Sequence, residues 1–560
     1  MEAFRSAGSA GLARLDKVAD DDLSRLERLT ASVIIAMSLA LHALFFLRAG
    51  PLWRDEASTL NVAAMPSWAR LWGCLELDPL SGLYAPLLRL WGGIAGFSDR
   101  SVRAMGAISG LILLACLWTT ARKLCRGIPL ISLALLSLSP LLIRGGDSIR
   151  PYGLGLALLL AAALCIWRHI EAPSPRRWAA AAIAAILSVQ ILYHNAFFIL
   201  AILAGPIVFF RIEGRRALSL QLTAIGAAAA LSLSPYLGLI QRSAQWHVII
   251  QYPLSGARIL AAAARGMAMA GPAAALGWLG ALSLCAVFFW RSRKDLFRDF
   301  DGASFALLAA GCGLAANLVF LSVQRFFPQP RYFLGFFALA AVAADAAYLR
   351  WAGGKRLRAA RLAAAALIAA ASWPAAASQV SMRQTNIDIV ARRLDAAARE
   401  DLVVVNPWFF DISFGRYYRG AAPWVTLPPL EDAANNRVDL VKEAMTRTDD
   451  PLAPLLSRIA ETLKGGHRVW LVGTLPIIRN GQIPRSPAPP PLPETGWNSV
   501  PYLLAWADQA GYFVQTHAKS GDFPNVLPEG LVNPDERVRL EVVYGWRDAK
   551  KADADPKAVP

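Results

Sequence analysis

Charged residues are scarce in this sequence: they make up 17% of its 560 residues, whereas 56% are hydrophobic. The mean hydropathy is +0.40, well above what a water-soluble core of this length requires. This shortage of charge excludes an ordinary soluble protein and indicates an integral membrane protein. The net charge of +17 falls in short clusters between apolar segments rather than along one face. That arrangement is typical of membrane topology signals, and we expect no nucleic-acid partner.

Cysteine is also rare, with six residues in the whole chain. Five of them (Cys116, Cys125, Cys165, Cys285 and Cys312) lie in or beside apolar segments, and residues 381–560 contain none. A fold stabilised by disulfides needs paired cysteines in its soluble part. The sequence therefore implies no disulfide framework.

About eleven segments are apolar enough and long enough to cross a bilayer, for which a helix needs about 20 residues. They cover approximately residues 29–47, 101–120, 128–143, 152–167, 178–192, 195–210, 217–238, 273–290, 302–322, 332–349 and 360–374. Residues 1–28 are charged and rich in Ala and Gly, and the apolar segment after them is longer than that of a signal peptide. We therefore expect a cytoplasmic tail (1–28) and a polytopic helical domain (29–374) whose first helix is retained.

Arg and Lys residues mark every second connection between the apolar segments. The clusters lie within residues 122–126, 168–177, 211–216, 291–298 and 350–361. Because basic residues near helix ends are retained on the cytoplasmic side, the other connections are expected on the outer side. The loop 48–100, whose tryptophans Trp68, Trp72 and Trp91 suit the headgroup zone, is then expected along the outer surface of a bacterial inner membrane.

The pattern changes to that of a soluble segment after residue 374. A helical stretch at 386–399 is followed by strand-like stretches at 401–407 and 467–473, with amphipathic and helical stretches between them. The proline-rich RSPAPPPLPET at 485–495 predicts an extended surface loop, and the polar end ADADPKAVP predicts a frayed terminus. Residues 375–560 are thus predicted to form an extracytoplasmic (periplasmic) α/β domain behind a mainly α membrane bundle.

The segment PLWRDEAST, residues 51–59, follows the first apolar segment and places Asp55 and Glu56 side by side at the expected lipid boundary. The simplest interpretation is structural: Asp55 caps a short helix that begins at Glu56, and Glu56 favours the positive end of that helix. The alternative is functional, because other polar residues converge on the same outer end of an otherwise uncharged bundle.

Four further stretches bring polar side chains to that end. They are LDPLSGLYAP (Asp78, Tyr84), RGGDSIRPYGL (Asp147, Arg150, Tyr152), LYHNAFF (His194) and RFFPQPRYFLGF (Arg331, Tyr332). Each has a structural explanation as well. Asp147 and Arg150 are three residues apart and can pair, and His194 can be a histidine with satisfied hydrogen bonds. Arg331 and Tyr332 can anchor the membrane interface. Because all of these residues are expected at the same outer end of the bundle, a common site is favoured.

The order of these motifs resembles that of the GT-C membrane glycosyltransferases. It consists of DEA after the first helix, an Asp-x-x-x-x-x-Tyr stretch before an LW-containing helix, GFSDRSVRAMGAISG, SPLLIRGGDSIRPYGL, LYHNAFFILAI and PRYFLGFFALA. The resemblance covers roughly residues 30–350, and its nearest relatives are protein O-mannosyltransferases, the lipid A aminoarabinose transferase and their bacterial cousins. It implies a sugar donor carried on a polyprenyl phosphate and used on the outer face of the membrane.

The resemblance also implies roles for the residues. Asp55 is the expected general base on the acceptor hydroxyl in an inverting transfer, and Glu56, about 100° further round a helix, either orients the acceptor or holds a cationic partner. Arg150 and Arg331 are expected to bind the donor phosphate, because guanidinium groups bind phosphate oxygens bidentately. The expected sugar-binding residues are Asp78, Tyr84, Asp147, Tyr152, His194 and Tyr332.

The sequence departs from the bacterial cousins at two positions. Many of them have a His-Pro-Pro-Leu-Tyr stretch where this chain has DPLSGLY, so any role of that histidine is absent here. Many have a glutamate at the position of Asp147, which keeps the charge on a shorter side chain.

Metal dependence and the acceptor stay open. Asp55, Glu56 and Asp147 could supply oxygen ligands to a divalent cation, but a monophosphate donor has less need of one, and we expect no metal or other cofactor. The acceptor could be a glycan, a lipid or a protein, and membrane lipids surround the bundle.

Two other classes of function remain. A polytopic transporter would carry ionisable residues near the midplane and interrupted, repeated helices. The sequence predicts neither, since Asp345 falls near the cytoplasmic end of its segment, where Arg350 can pair with it or both can reach water. A non-catalytic envelope scaffold is the second alternative, and it predicts that Asp55 is dispensable.

Overall fold

The computed structural model of the chain describes residues 2–78, 81–293, 300–351, 354–432, 435–447, 449–478 and 482–548, with only the backbone of residues 2–20. The terminal ADADPKAVP and two cations of one predicted basic cluster, Lys294 and Arg298, lie outside the described residues.

The described residues form twenty-two α-helices and five strands. The helices are α1 (Glu2–Arg48), α2 (Arg54–Ala63), α3 (Trp68–Cys74), α4 (Tyr84–Ala95), α5 (Asp99–Cys125), α6 (Leu130–Ser132), α7 (Pro140–Gly146), α8 (Tyr152–Glu171), α9 (Pro175–Ile191), α10 (Asn195–Ile212), α11 (Arg216–Leu231), α12 (Leu237–His247), α13 (Gly256–Ala268), α14 (Pro272–Ser292), α15 (Gly302–Gln324), α16 (Leu334–Trp351), α17 (Lys355–Ser381), α18 (Ile387–Leu394), α19 (Asp411–Tyr417), α20 (Val438–Thr446), α21 (Ala453–Lys464) and α22 (Val500–His517). The strands are β1 (Leu402–Val405), β2 (Trp424–Thr426), β3 (Arg468–Val472), β4 (Ala518–Asp522) and β5 (Leu540–Trp546).

The predicted fold class, a mainly α polytopic bundle with a C-terminal α/β domain, is confirmed. Within the described part of the chain, nine helices are long and apolar enough to cross a membrane. All eleven expected segments contain helix, but two do not reach that length: α9 has 17 residues, and the segment 128–143 is interrupted. The helix α1 continues through residue 28, and α17 continues to Ser381, so neither expected domain boundary coincides with a helix end.

The interruption separates α6 and a π-helical turn (Leu133–Ser137) from α7, whose first residue, Pro140, suits a first helical turn. The expectation of uninterrupted helices is therefore wrong here. Asp345 binds the start of α6, accepting hydrogen bonds from the backbone N–H groups of Ile131 (3.1 Å) and Ser132 (2.6 Å). Arg350 binds Asp301 at 2.5 Å instead of Asp345, which lies 3.9 Å from Arg361.

The C-terminal domain is built on a sheet with the strand order β2-β1-β3-β5-β4. The strand β1 is parallel to β2 and β3, and β5 is antiparallel to β3 and β4. Alternate residues of β1 enter different cores. Leu402 and Val404 pack with α20, α21 and α22, whereas Val403 and Val405 pack with α18 and α19. Both faces of the sheet are therefore covered by helices, as expected for an α/β domain.

Polar contacts fasten this domain to the bundle beside the segment between α1 and α2. The Tyr417 hydroxyl accepts a hydrogen bond from the Leu52 N–H and donates one to Asp99 Oδ2, both at 2.7 Å. Arg416 binds the same Asp99 carboxylate at 2.6 Å, and Gln384 N–H donates to the Ala49 carbonyl at 2.8 Å. The domain thus holds the chain immediately before α2 in place.

We predict that Tyr417→Phe speeds hydrogen exchange of the Leu52 amide about 3- to 10-fold, because a net hydrogen bond is worth about 0.5–1.5 kcal/mol. Tyr544→Phe is the control, since the Tyr544 hydroxyl binds the exposed Asp522 within the domain. Unchanged Leu52 exchange in Tyr417→Phe would contradict this docking contact.

Candidate active site

The helix α2 presents the acidic pair, and it begins one residue before that pair. Arg54 is its first residue, Trp53 occupies the N-cap position in an extended conformation, and no side chain caps the helix there. The structural alternative in which Asp55 caps a helix starting at Glu56 is therefore wrong. Both carboxylates lie in the first turn, where negative charge is favourable.

Glu56 points into the protein. It is fully buried, and its two oxygens accept bonds from Arg103 Nη1 (2.6 Å) and Nη2 (2.8 Å), the bidentate geometry of a strong ion pair. Oε1 also accepts the Ile149 N–H at 3.0 Å. Glu56 thus holds a cationic partner and joins α2 to α5 and to the segment between α7 and α8.

Asp55 points the other way, and its side chain is 27% exposed. Its Oδ2 lies 3.8 Å from Arg331 Nη2, and its Oδ1 lies 3.8 Å from Arg54 Nε. Arg150 Nη1 donates to the Asp55 carbonyl at 3.2 Å and to Thr59 Oγ1 at 2.8 Å. Burial raises the pKa of Asp55, but Arg150, Arg331 and Arg54 together hold it below its ordinary value. The structure thus brings Asp55, Arg150 and Arg331 together.

Within the described part of the chain, Arg150 and Arg331 each have a hydrogen-bond donor without an acceptor beside Asp55. Among the described residues, nothing accepts a hydrogen bond from the buried Nε of Arg150 or of Arg331. The Arg331 guanidinium lies 5.9 Å from the centre of the Trp53 ring and 5.6 Å from that of Tyr332, and its side chain is 32% exposed. A buried donor without an acceptor costs free energy, and a bound anion is one group that would supply the acceptor.

Three of the expected sugar-binding residues lie beside these groups, and one is enclosed. Asp78 Oδ1 is 3.7 Å from Arg150 Nη1, and its Oδ2 accepts the Ser58 hydroxyl at 2.6 Å. Tyr152 and Tyr332 are electrostatic neighbours of Arg331. Tyr84 is only 2% exposed and packs in an apolar cluster around α2 and α4.

Asp147 and His194 lie apart from the Asp55 group. Instead of Arg150, Asp147 binds His42 of α1, with Nδ1 2.8 Å and 2.9 Å from the two carboxylate oxygens. A Cβ on Gly110 would lie 1.8 Å from Asp147 Oδ1, so α5 needs a glycine there. His194 Nε2 is 3.1 Å from Asn317 Oδ1, and its ring stacks on Phe320 at 3.7 Å. These contacts agree with the structural explanation, in which His194 has its hydrogen bonds satisfied within the protein.

Four important residues were missed by sequence reasoning: Arg54, Arg103, His42 and Glu536. Arg54 adjoins the acidic pair, and a cation inside the apolar α5 or a histidine inside the apolar α1 is itself a signal of a buried partner. Glu536 carries no such signal. It reaches the site only because the C-terminal domain folds against the bundle and places its Oε1 2.9 Å from Arg54 Nε.

No group of three or more His, Cys, Asp or Glu side chains in the described ranges is arranged to hold a metal ion. Two cavities of about 890 and 330 Å³ lie at the opposite end of the bundle, around Lys123 and Glu171, and contain none of the predicted site residues. The group around Asp55 is partly open to solvent, since the Asp55 side chain is 27% exposed.

The fold and this group of residues define a polytopic membrane protein with an acid and arginines converging beside a soluble domain. A profile of the dolichyl-phosphate-mannose-protein mannosyltransferase family matches residues 83–238. The resemblance to GT-C glycosyltransferases is thereby confirmed for that part of the chain, which includes Arg150 and Tyr152 but not Asp55 or Arg331. No curated protein gives a significant match to the sequence.

Two solved structures are similar in three dimensions. One is ArnT from Cupriavidus metallidurans bound to undecaprenyl phosphate, with 13% identity, a TM-score of 0.49, and coverage of 79% of this chain and 92% of that chain. The other is the Archaeoglobus fulgidus oligosaccharyltransferase in complex with Zn and sulfate, with 14% identity, a TM-score of 0.46, and coverage of 91% of this chain and 73% of that chain.

We predict that Glu56→Ala lowers the free energy of unfolding by about 3–5 kcal/mol, because it leaves the buried Arg103 charge without its partner. Asp55→Ala is the matched control from the same helical turn. The partly exposed Asp55 carboxylate lies 3.8 Å from Arg54 and from Arg331, so this substitution should lower the free energy of unfolding much less. Thermal unfolding in detergent micelles measures both. An equal or larger loss for Asp55→Ala would refute the assignment of Glu56 as the structural member of the pair.

Proposed function

We propose that this protein is a glycosyltransferase that moves a sugar from a polyprenyl-phosphate-linked donor to an acceptor hydroxyl, with inversion, at the extracytoplasmic face of a bacterial inner membrane. The observation that carries the proposal is the convergence of Arg150 and Arg331, from distant segments, on Asp55 of α2. The family match over residues 83–238 supports a glycosyltransferase. The basic clusters support a cytoplasmic N-terminus and a periplasmic site and C-terminal domain.

The proposed chemistry divides between the carboxylate and the guanidiniums. The acceptor hydroxyl loses its proton to an Asp55 oxygen while its own oxygen bonds to the anomeric carbon, and the bond from that carbon to the phosphate oxygen breaks. Arg150 and Arg331 stabilise the charge that grows on the leaving phosphate. Asp55 is ionised at neutral pH, because the neighbouring arginines hold its pKa below the ordinary value, and a carboxylate in this form can accept the proton.

Donor binding also prepares the base. Arg331 lies 3.8 Å from Asp55 Oδ2, beyond hydrogen-bonding distance, and its Nε is unoccupied among the described residues. A phosphate that binds this guanidinium neutralises part of the charge that lowers the Asp55 pKa, which makes Asp55 a stronger base. Asp78, Tyr152 and Tyr332 lie beside the arginines and are the proposed sugar-binding residues. The buried Tyr84 and Asp147 and the half-buried His194 are proposed to support the protein around the site.

We predict that Asp55→Asn lowers sugar transfer by about 10²- to 10⁴-fold, the usual contribution of a general base. The test incubates membranes with radiolabelled undecaprenyl-phosphate mannose and other undecaprenyl-phosphate sugars, and measures label in the lipid, glycan and protein fractions. Asp449→Asn, at an exposed carboxylate of the C-terminal domain, is the control. Undiminished transfer by Asp55→Asn would remove Asp55 as the base.

We predict that Arg331→Ala weakens binding of undecaprenyl phosphate by about 10- to 100-fold, since a hydrogen bond to a charged group contributes about 1.5–3 kcal/mol. Binding is measured on purified protein in detergent by displacement of a fluorescent lipid phosphate. Arg399→Ala, at an exposed arginine of the C-terminal domain, controls for a general loss of positive charge. Equal affinity of Arg331→Ala and wild type would count against phosphate binding by Arg331.

A further inference from the structure

The C-terminal domain places the Glu536 carboxylate beside the N-terminus of α2. Glu536 ends the 3₁₀ turn Pro534–Glu536 just before β5, and it is 1% exposed. Its backbone is fixed on both sides, because its N–H donates to the Asn533 carbonyl and its carbonyl accepts the Thr385 hydroxyl, both at 3.0 Å. The side chain thus reaches the bundle from a rigid support.

The C-terminal domain holds the Arg54 side chain with two contacts. Arg54 Nε lies 2.9 Å from Glu536 Oε1, an ion-pair contact in which these two atoms make no hydrogen bond with each other, and the Arg54 guanidinium lies 4.3 Å from the centre of the Phe409 ring. The same Nε is 3.8 Å from Asp55 Oδ1. Arg54 is therefore shared unequally between two carboxylates, and the nearer one belongs to the domain.

We propose that Glu536 is a positioning residue of the active site: its carboxylate draws the Arg54 guanidinium away from Asp55 and leaves the Asp55 carboxylate available to accept a proton. This inference rests on the proposed function of Asp55 as the base. It also makes the C-terminal domain a part of the site rather than only a candidate for selecting the acceptor.

The surrounding charges explain why one more carboxylate matters. Asp55 is faced by Arg54 of its own helix, Arg150 before α8, Arg331 before α16 and Glu536 of the domain. Three guanidiniums around one carboxylate make it a weak base, because nearby cations lower its pKa. A carboxylate that binds one of the three reverses part of this effect.

The ionisation of Glu536 gives the inference a pH signature. Glu536 is faced by Arg54 and Asp55 from α2 and by Asp535 on its own turn, and Arg144 faces Asp535. Burial raises the pKa of Glu536 to about 8, against the opposing effect of Arg54. As the pH rises through this range, Glu536 becomes charged and binds Arg54 more strongly. The rate of transfer should then rise with it.

The first test compares the pH dependence of kcat for wild type, Glu536→Gln and Glu529→Gln, with the labelled undecaprenyl-phosphate sugar that wild type transfers. We expect kcat of wild type and of the exposed Glu529 control to rise about 3- to 10-fold between pH 6 and 9. Glu536→Gln should lack this rise while its KM for the donor stays unchanged. A parallel rise in Glu536→Gln, or a change confined to KM, overturns the inference.

A second test needs no substrate and keeps failure of the inference distinct from failure of the proposed function. Thermal unfolding is compared for wild type, Glu536→Gln, Arg54→Gln and the double variant at pH 6 and 9. We expect the two substitutions to be coupled at pH 9 and nearly additive at pH 6. Because the folded-state pKa of Glu536 is raised, wild type should also lose stability relative to Glu536→Gln as the pH rises. Additivity at both pH values overturns the inference even if transfer is observed.

Discussion

The buried ion pair between Glu56 and Arg103 is the constraint on which the geometry of the candidate site depends. It joins the first turn of α2 to α5, and the bond from the Ile149 N–H to the same carboxylate adds the segment that carries Arg150. Since neighbouring helical residues point about 100° apart, fixing Glu56 inward turns Asp55 outward. One buried pair therefore sets the direction of the proposed base and the position of an arginine proposed to bind phosphate.

The same segment is held from the other side by the soluble domain. Tyr417 binds the Leu52 N–H before α2, and Glu536 and Phe409 hold Arg54 at its first residue. The helix α2 thus lies between the membrane bundle and the α/β domain and depends on both. A change in how the domain docks would alter the surroundings of Asp55 without any change to the membrane helices.

Much of the fold follows from the sequence, because apolar length and alternation report directly on burial. The segments 29–47 and 101–120 are parts of α1 and α5, and the strand-like, continuously apolar DLVVVNP contains β1. The interruption before Pro140 was missed because overall hydropathy does not report where the backbone leaves the helical conformation. The helix α22 and the strand β5 were not predicted. Both follow the proline-rich stretch, after which the sequence was not assigned to helices or strands.

The site was harder to predict than the fold. Sequence order indicated that Asp55, Arg150 and Arg331 lie at one end of the bundle, but the rotation of each helix decides which side chains meet. That rotation pairs Glu56 with Arg103, and Asp147 with His42 rather than with its sequence neighbour Arg150. Glu536 was beyond prediction because its approach depends on how a separate domain docks.

The pairing of His42 with Asp147 has a consequence for how the chain is made. Membrane helices enter the bilayer in order of synthesis, so His42 in the first helix must wait for a partner that is translated about a hundred residues later. Until then its imidazole faces either lipid, which is costly, or the insertion machinery. The pair can therefore form only after the segment that follows α7 has been synthesised.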